Sequence, residues 1–261
     1  MFIPFANTNQ FDPDAGAFIN VTGIGGIEAV AINNLVNQLK SAGLWSAMKA
    51  IYPMVGNSAD RCKFNLVNPQ NTDAAFRLSF FGNWTLSNSG AKPDGVAGTY
   101  ADTFFVPSTG FTTTNGHFSY YSFTNNAAAV MVEMGANGAA TAGECNLALR
   151  FSDSNQYAFF AGAGGNSGAT VGTSAGYLIN NRAALTEGWR NGVRAINTGN
   201  GAALTSQKMV LGAQNNNGTI FRNSSRGCAF ASIGNSLPTG GAVNLTNIVN
   251  TFCRTLQRNV F

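Results

Sequence analysis

Asn191-Gly192, inside "GWRNGVRAI", constrains the fold more than any other dipeptide in the chain. Both residues tolerate positive φ, so the pair closes a two-residue hairpin and commits its flanks to adjacent antiparallel strands. Period-two patterns recur from Asn65 onward. "AAFRLSFFGNW" turns Phe76, Leu78 and Phe80 one way and Arg77 and Ser79 the other. "HFSYYSFTN" reads as an aromatic strand. "AVMVEMGA" sets Val130, Val132 and Met134 opposite Met131 and Glu133. "NLALRFSDSNQYAFFAG" reads as a hairpin turning at Asp153-Ser154-Asn155, with Tyr157 to Phe160 returning. "QKMVLGAQNNNG" adds a strand that ends in a loop. Short strands with frequent turn signals predict a single β-sandwich. No repeat with a period of roughly 20–50 residues is present, which argues against a solenoid or propeller.

The ends of the chain follow a helical period. In "GIEAVAINNLVNQLK", Ile27, Ala31 and Leu35 recur every fourth residue, joined by Ile32, Val36 and Leu39. Glu28 near the start and Lys40 near the end suit the helix dipole. Leu44, Met48 and Ile51 predict a second helix, stopped at Pro53. Leu245, Ile248, Val249, Phe252 and Leu256 predict a C-terminal one. Residues 1–23 show no periodicity and read as an extended arm, with Phe2, Phe5, Phe11 and Phe18 as apolar anchors. The arm docks either on its own domain or on a neighbouring subunit. The expected layout is an arm at 1–23, a helical lead-in packed on the sandwich at 24–56, and a sandwich with its C-terminal helix at 57–261.

Charge narrows the function classes. Only 10% of residues are charged, against about 25% in an average chain. Hydrophobic residues reach 44%, so the chain folds. A weakly charged surface suits packing into an assembly. The net charge is +4, but the Lys and Arg residues are scattered from Lys40 to Arg258 with no basic stripe, which argues against nucleic acid. No apolar run approaches the ~20 residues of a membrane span. The opening "MFIPFANTNQFDPDAG" lacks the pattern of an export signal. Cys62, Cys145, Cys228 and Cys253 form no C-x-x-C pair, so zinc is not expected and buried free thiols are. Whether Cys228 and Cys253 pair is left open by their spacing.

The sequence offers little catalytic chemistry. His117, the only histidine, begins an aromatic strand. "GTSAG" places Ser174 in a nucleophile-elbow pattern, but no histidine follows it in the chain. "GAGGNSG" and "GIGG" lack the remaining residues of phosphate or dinucleotide loops. Glu133 has no second carboxylate on its own strand face, although Asp102 or Glu144 could approach from elsewhere. No metal, cofactor or enzymatic activity is expected. Carbohydrate binding needs aromatic platforms and neutral amides. The candidate contacts are Trp84, Trp189, Asn215, Asn216 and Asn217.

Several ordered motifs carry a family resemblance. "GLWSAMKAIYPMVGNSADRCKFNLVNPQNTDAAFRLSFFGNWT" is followed by a "YADT…PST" segment at Tyr100–Thr103 and Pro107–Thr109. A Glu-x-Gly-Ala turn follows at Glu133, Gly135 and Ala136, then "FASIG-x-x-L" at Phe230–Leu237 before the last helix. Across residues 27–260 the chain resembles bacteriophage virion structural proteins of the tail-fibre and minor structural type. The resemblance implies a concanavalin A-like or laminin-G-like jelly roll with two N-terminal helices and one C-terminal helix. It implies a non-enzymatic virion protein on the particle surface, a capsid decoration, head fibre or tail-fibre subunit, anchored to the virion by the arm of Phe2, Phe5, Phe11 and Phe18. Its partners would be other virion proteins and copies of itself, with host surface glycan as a further partner. The alternative is a lectin-like carbohydrate-binding module, and a glycan hydrolase ranks below both.

Overall fold

The computed structural model describes residues 11–139, 143–199, 201 and 203–261. The chain opens with α1 (Pro13–Thr22) and α2 (Gly26–Ser41), then β1 (Met48–Tyr52) and the one-turn α3 (Ala59–Cys62). Next come β2 (Ser79–Phe81), β3 (Trp84–Ser87), β4 (Gly90–Pro93), β5 (Tyr100–Asp102) and the one-turn α4 (Pro107–Gly110). The middle holds β6 (Gly116–Ser122), β7 (Met134–Asn137), β8 (Cys145–Ala148), β9 (Asn155–Phe160) and β10 (Ala163–Thr170). Then follow β11 (Gly176–Arg182), β12 (Thr186–Arg190), β13 (Val193–Thr198), β14 (Val210–Leu211), β15 (Gln214–Asn216) and β16 (Thr219–Phe221). β17 (Cys228–Gly234) and α5 (Gly241–Thr255) close the chain.

These strands form a mainly β sandwich of the jelly-roll class. Sheet A runs β13-β12-β11-β6-β17-β4-β3, with β1 also paired to β17. Sheet B runs β10-β9-β8-β7-β14-β5-β2, with the β15–β16 hairpin attached to β7. The Asn191-Gly192 turn joins β12 to β13 as the dipeptide dictates, with φ of 51° and 84°. The β8–β9 hairpin pairs Leu147 with Ala158.

Two apolar clusters divide the interior. One lies between the sheets, where Tyr52, Phe118, Tyr120, Leu178 and Ile233 meet Met134, Leu147, Phe160 and Leu211. The other lies between sheet A and the helices, where Tyr121, Tyr177 and Phe230 meet Ile32, Leu35, Leu245, Val249 and Phe252. The central strands of sheet A are therefore buried on both faces. Strands β6, β11 and β17 are buried at every residue. Strand β9 of sheet B instead alternates buried and half-buried residues. Among the described residues the helical layer packs on sheet A.

Two sequence expectations need correction. Residues 13–22 are a helix, not part of an extended arm. Asp12 caps it by accepting from the Asp14 amide, and Pro13 sits in its first turn, where a missing N–H costs nothing. Phe18 is buried among the helices and Phe11 packs against the same cluster, so both serve this domain's own core. Phe2 and Phe5 lie outside the described residues. The expected helix at 44–51 is a 3-10 turn at Trp45–Ala47 followed by β1, which pairs with β17 through Ile51 and Ser232.

All four cysteines are buried and free, so Cys228 and Cys253 do not pair. Burial pushes the Cys145 thiol up to about 12 and suppresses its thiolate. His117 is fully buried, with Nδ1 against the Asn235 carbonyl and Nε2 3.3 Å from Ser232 Oγ. Ser232 in turn meets Ser119, which accepts from Tyr177 Oη.

Burial lowers His117 to about 4, against an ordinary 6.5. The folded state therefore holds it neutral, and its contribution is complete above pH 6.5 and lost as pH falls to about 4. Urea titrations across that window should show a loss of about 3 kcal/mol. His117→Gln should flatten that slope; an unchanged slope contradicts the assignment.

Candidate binding groove on the open sheet face

The open face of sheet B holds the groove. β9 sends Ala158 and Phe160 into the sandwich, so Tyr157 and Phe159 point outward. Their rings stack at 5.9 Å and 7°. Phe151 meets Tyr157 edge-on at 5.5 Å. With Ala148 and Asn146 of β8, and with Val132, Glu144 and Arg222, they line a cavity of about 260 Å³. Such a site combines aromatic surface with a few polar groups, as small-ligand sites do.

The polar wall has its own order. Asn146 Nδ2 donates to Asn137 Oδ1 at 3.2 Å and to Glu144 Oε1. Gly135 permits this, because a Cβ there would lie 2.0 Å from Asn146 Oδ1. Glu144 is pushed above the usual carboxylate range by burial, opposed by Asn146, Arg222, Asn137 and Gln214. Tyr157 Oη donates to Asp153 Oδ2 at 2.5 Å, which fixes the platform's outer end.

Beneath the walls lies a buried ion pair. Glu133 and Arg226 are both fully buried and meet at 2.9 Å. Glu133 also accepts from the Leu149 amide at 2.6 Å and from Ser224 Oγ at 2.9 Å. Arg226 also donates to the Ala127 and Arg150 carbonyls at 3.1 and 2.6 Å. Val132 adjoins Glu133, and Phe151 adjoins Arg150. Arg222 precedes Ser224 by two residues and accepts from the Val132 amide through its carbonyl. Three groove walls thus hang from one clamp. The same bonds consume the Glu133 carboxylate, so it is a structural group and not an acid for glycan hydrolysis.

The residues singled out in the sequence scatter. Trp84 sits on β3, half-buried, edge-on to Phe80 and donating to the Phe81 carbonyl. Trp189 belongs to sheet A, packs against the helical cluster and borders a separate hollow with Leu185, Arg194 and Pro238. Asn215 is buried and spends its side chain on the Lys208 carbonyl and the Gly218 amide. Asn217 is the left-handed turn residue of the β15–β16 hairpin, at φ 51°. In the parallel β15–β7 pairing Asn215 lies opposite the core residue Ala136, whereas Asn216 lies opposite Asn137 and so shares the outer face. Ser174 is buried and bonded to the Thr124 carbonyl, which excludes it as a nucleophile. Tyr157, Phe159 and Arg222 are the residues that sequence reasoning missed. The signal was in "NQYAFF", where both faces of a strand carry aromatic rings. Among the described residues no cluster of His, Cys, Asp and Glu could hold a metal. No described helix is long and apolar enough to cross a membrane.

Comparison with known proteins adds to the fold. No family model matches the sequence, and no curated protein matches it. Among solved structures, it is similar to domain 4 of AbnA, a GH43 extracellular arabinanase from Geobacillus stearothermophilus, in complex with arabinotriose. The TM-score is 0.51 at 9% identity, over 77% of this chain and 98% of that one. It also aligns with a Trypanosoma rangeli sialidase in complex with 2,3-difluorosialic acid, at a TM-score of 0.44 and 9% identity. That match covers 84% of this chain and 39% of that one. At these identities the likeness to the arabinanase domain is one of fold.

Removing one partner of a buried pair leaves an uncompensated charge. Glu133→Gln should therefore lower unfolding stability by about 3–5 kcal/mol. A loss under about 1 kcal/mol in denaturant titration would contradict the clamp.

Proposed function

We propose that the chain is a non-enzymatic, glycan-binding jelly-roll module, and that it serves as a surface structural protein of a phage particle. The observation that carries the binding reading is the groove. It lies on the sheet face that no described helix covers, and it joins stacked Tyr157 and Phe159 to the amide of Asn146, the carboxyl of Glu144 and the guanidinium of Arg222. Sugars present apolar C–H faces and a dense rim of hydroxyls, and this pairing of rings with polar groups meets both. The AbnA domain of similar fold was solved with arabinotriose, which supports the same ligand class. The virion reading is supported by the ordered motifs between residues 27 and 260 and by the 10% charged fraction, which suits close packing among copies. The non-enzymatic reading is supported by the fate of the sequence's catalytic candidates: Glu133, His117 and Ser174 are all buried and bonded.

The purified domain should bind bacterial surface polysaccharides on a glycan array. Tyr157→Ala should weaken that binding about tenfold, the scale of one lost aromatic contact. Trp189→Ala should leave it within about twofold, because Trp189 lies outside the groove. Loss with Trp189→Ala and retention with Tyr157→Ala would move the site elsewhere.

A further inference from the structure

We propose that the groove selects an acidic sugar, and that Arg222 is the residue that reads its carboxylate; this rests on the glycan reading above. Arg222 lines the groove at the end of the β15–β16 hairpin. Its backbone is held at φ 52° and its carbonyl accepts from Val132. Its guanidinium lies over two rings, 5.3 Å from the centroid of Phe151 and 5.4 Å from that of Phe221. Stacking orients the planar fork while leaving its N–H edges uncommitted.

Those donors are unspent. Arg222 Nε is buried without a hydrogen-bond partner. Arg226 and Arg258 share an unpaired Nε, but they spend their terminal nitrogens, Arg226 on Glu133 and two carbonyls and Arg258 on four carbonyls, as Arg190 does on three; among the described residues no group accepts from the Arg222 side chain. Among the described residues Arg222 makes no ion pair. Glu144 feels its charge but bonds to Asn146 and is flanked by Asn137 and Gln214. A preoriented guanidinium with free donors matches a carboxylate in bidentate geometry. The ligand that fits is a hexuronate or nonulosonate residue, its ring on Tyr157 and Phe159 and its carboxylate on Arg222. The net charge of +4 adds a general attraction for a polyanionic chain.

The test is an array that prints hexuronate- and nonulosonate-bearing oligosaccharides beside their carboxyl-reduced counterparts. The wild-type chain should bind carboxylated members about tenfold or more tightly than the reduced ones, the scale of a charge-assisted pair. Arg222→Gln should erase that preference, and Arg222→Lys should restore part of it. Added salt should weaken the carboxylated members selectively. The wild-type comparison needs no variant, so a misfolded Arg222→Gln would not spoil it. Equal binding of reduced and carboxylated members, still abolished by Tyr157→Ala, would overturn the acidic preference and leave the glycan reading standing. Binding to no member would overturn both.

Discussion

The buried Glu133–Arg226 pair is the contact on which the groove depends. Glu133 leads into β7 of one sheet and Arg226 into β17 of the other, so the pair ties the two layers together. Desolvating two charges costs several kcal/mol each, and the cost is offset only when the remaining donors and acceptors are met. Here Leu149, Ser224, Ala127 and Arg150 meet most of them, though Arg226 Nε stays unpaired. An apolar contact of the same volume could hold the sheets. It could not fix three loop segments in one register, because it has no directional bonds.

Layering decides where a ligand can go. α2 and α5 give sheet A a second apolar neighbour, so β6, β11 and β17 are buried on both sides. Sheet B has one apolar neighbour and one open face. Aromatic rings on that open face, Tyr157 and Phe159, find no core to enter. The energy of covering them is available to a ligand. The clamp makes the walls around those rings preformed, which lowers the ordering cost of binding.

The sequence disclosed whatever local chemistry controls. Asn191-Gly192 specified its hairpin because turn geometry is a property of two residues. α5 was legible because one face of it is apolar and the other is not. β1 was misread because both its faces are buried: Met48 and Ile51 face the helices while Ala50 and Tyr52 face the other sheet. Such a strand has no alternation to show, and its spacing imitates a helix. α1 carried a readable start at Asp12-Pro13, but its weak apolar stripe hid the rest. The groove was not legible, because it is assembled from Val132, Asn146, Tyr157 and Arg222, which only sheet pairing brings together. Tryptophan was a poor guide for the same reason: Trp84 and Trp189 are packed against cores on other parts of the fold.

Native-state hydrogen exchange at the Leu149 amide tests the central claim directly, since that N–H ends on Glu133. A clamp that holds the groove ready-made requires Leu149 to exchange only through global unfolding. Its opening free energy and denaturant slope should then equal those of Tyr120 in the centre of sheet A. Exchange by a local opening with a small denaturant slope, while Tyr120 stays protected, would show that the clamp releases in the folded protein and would contradict the account.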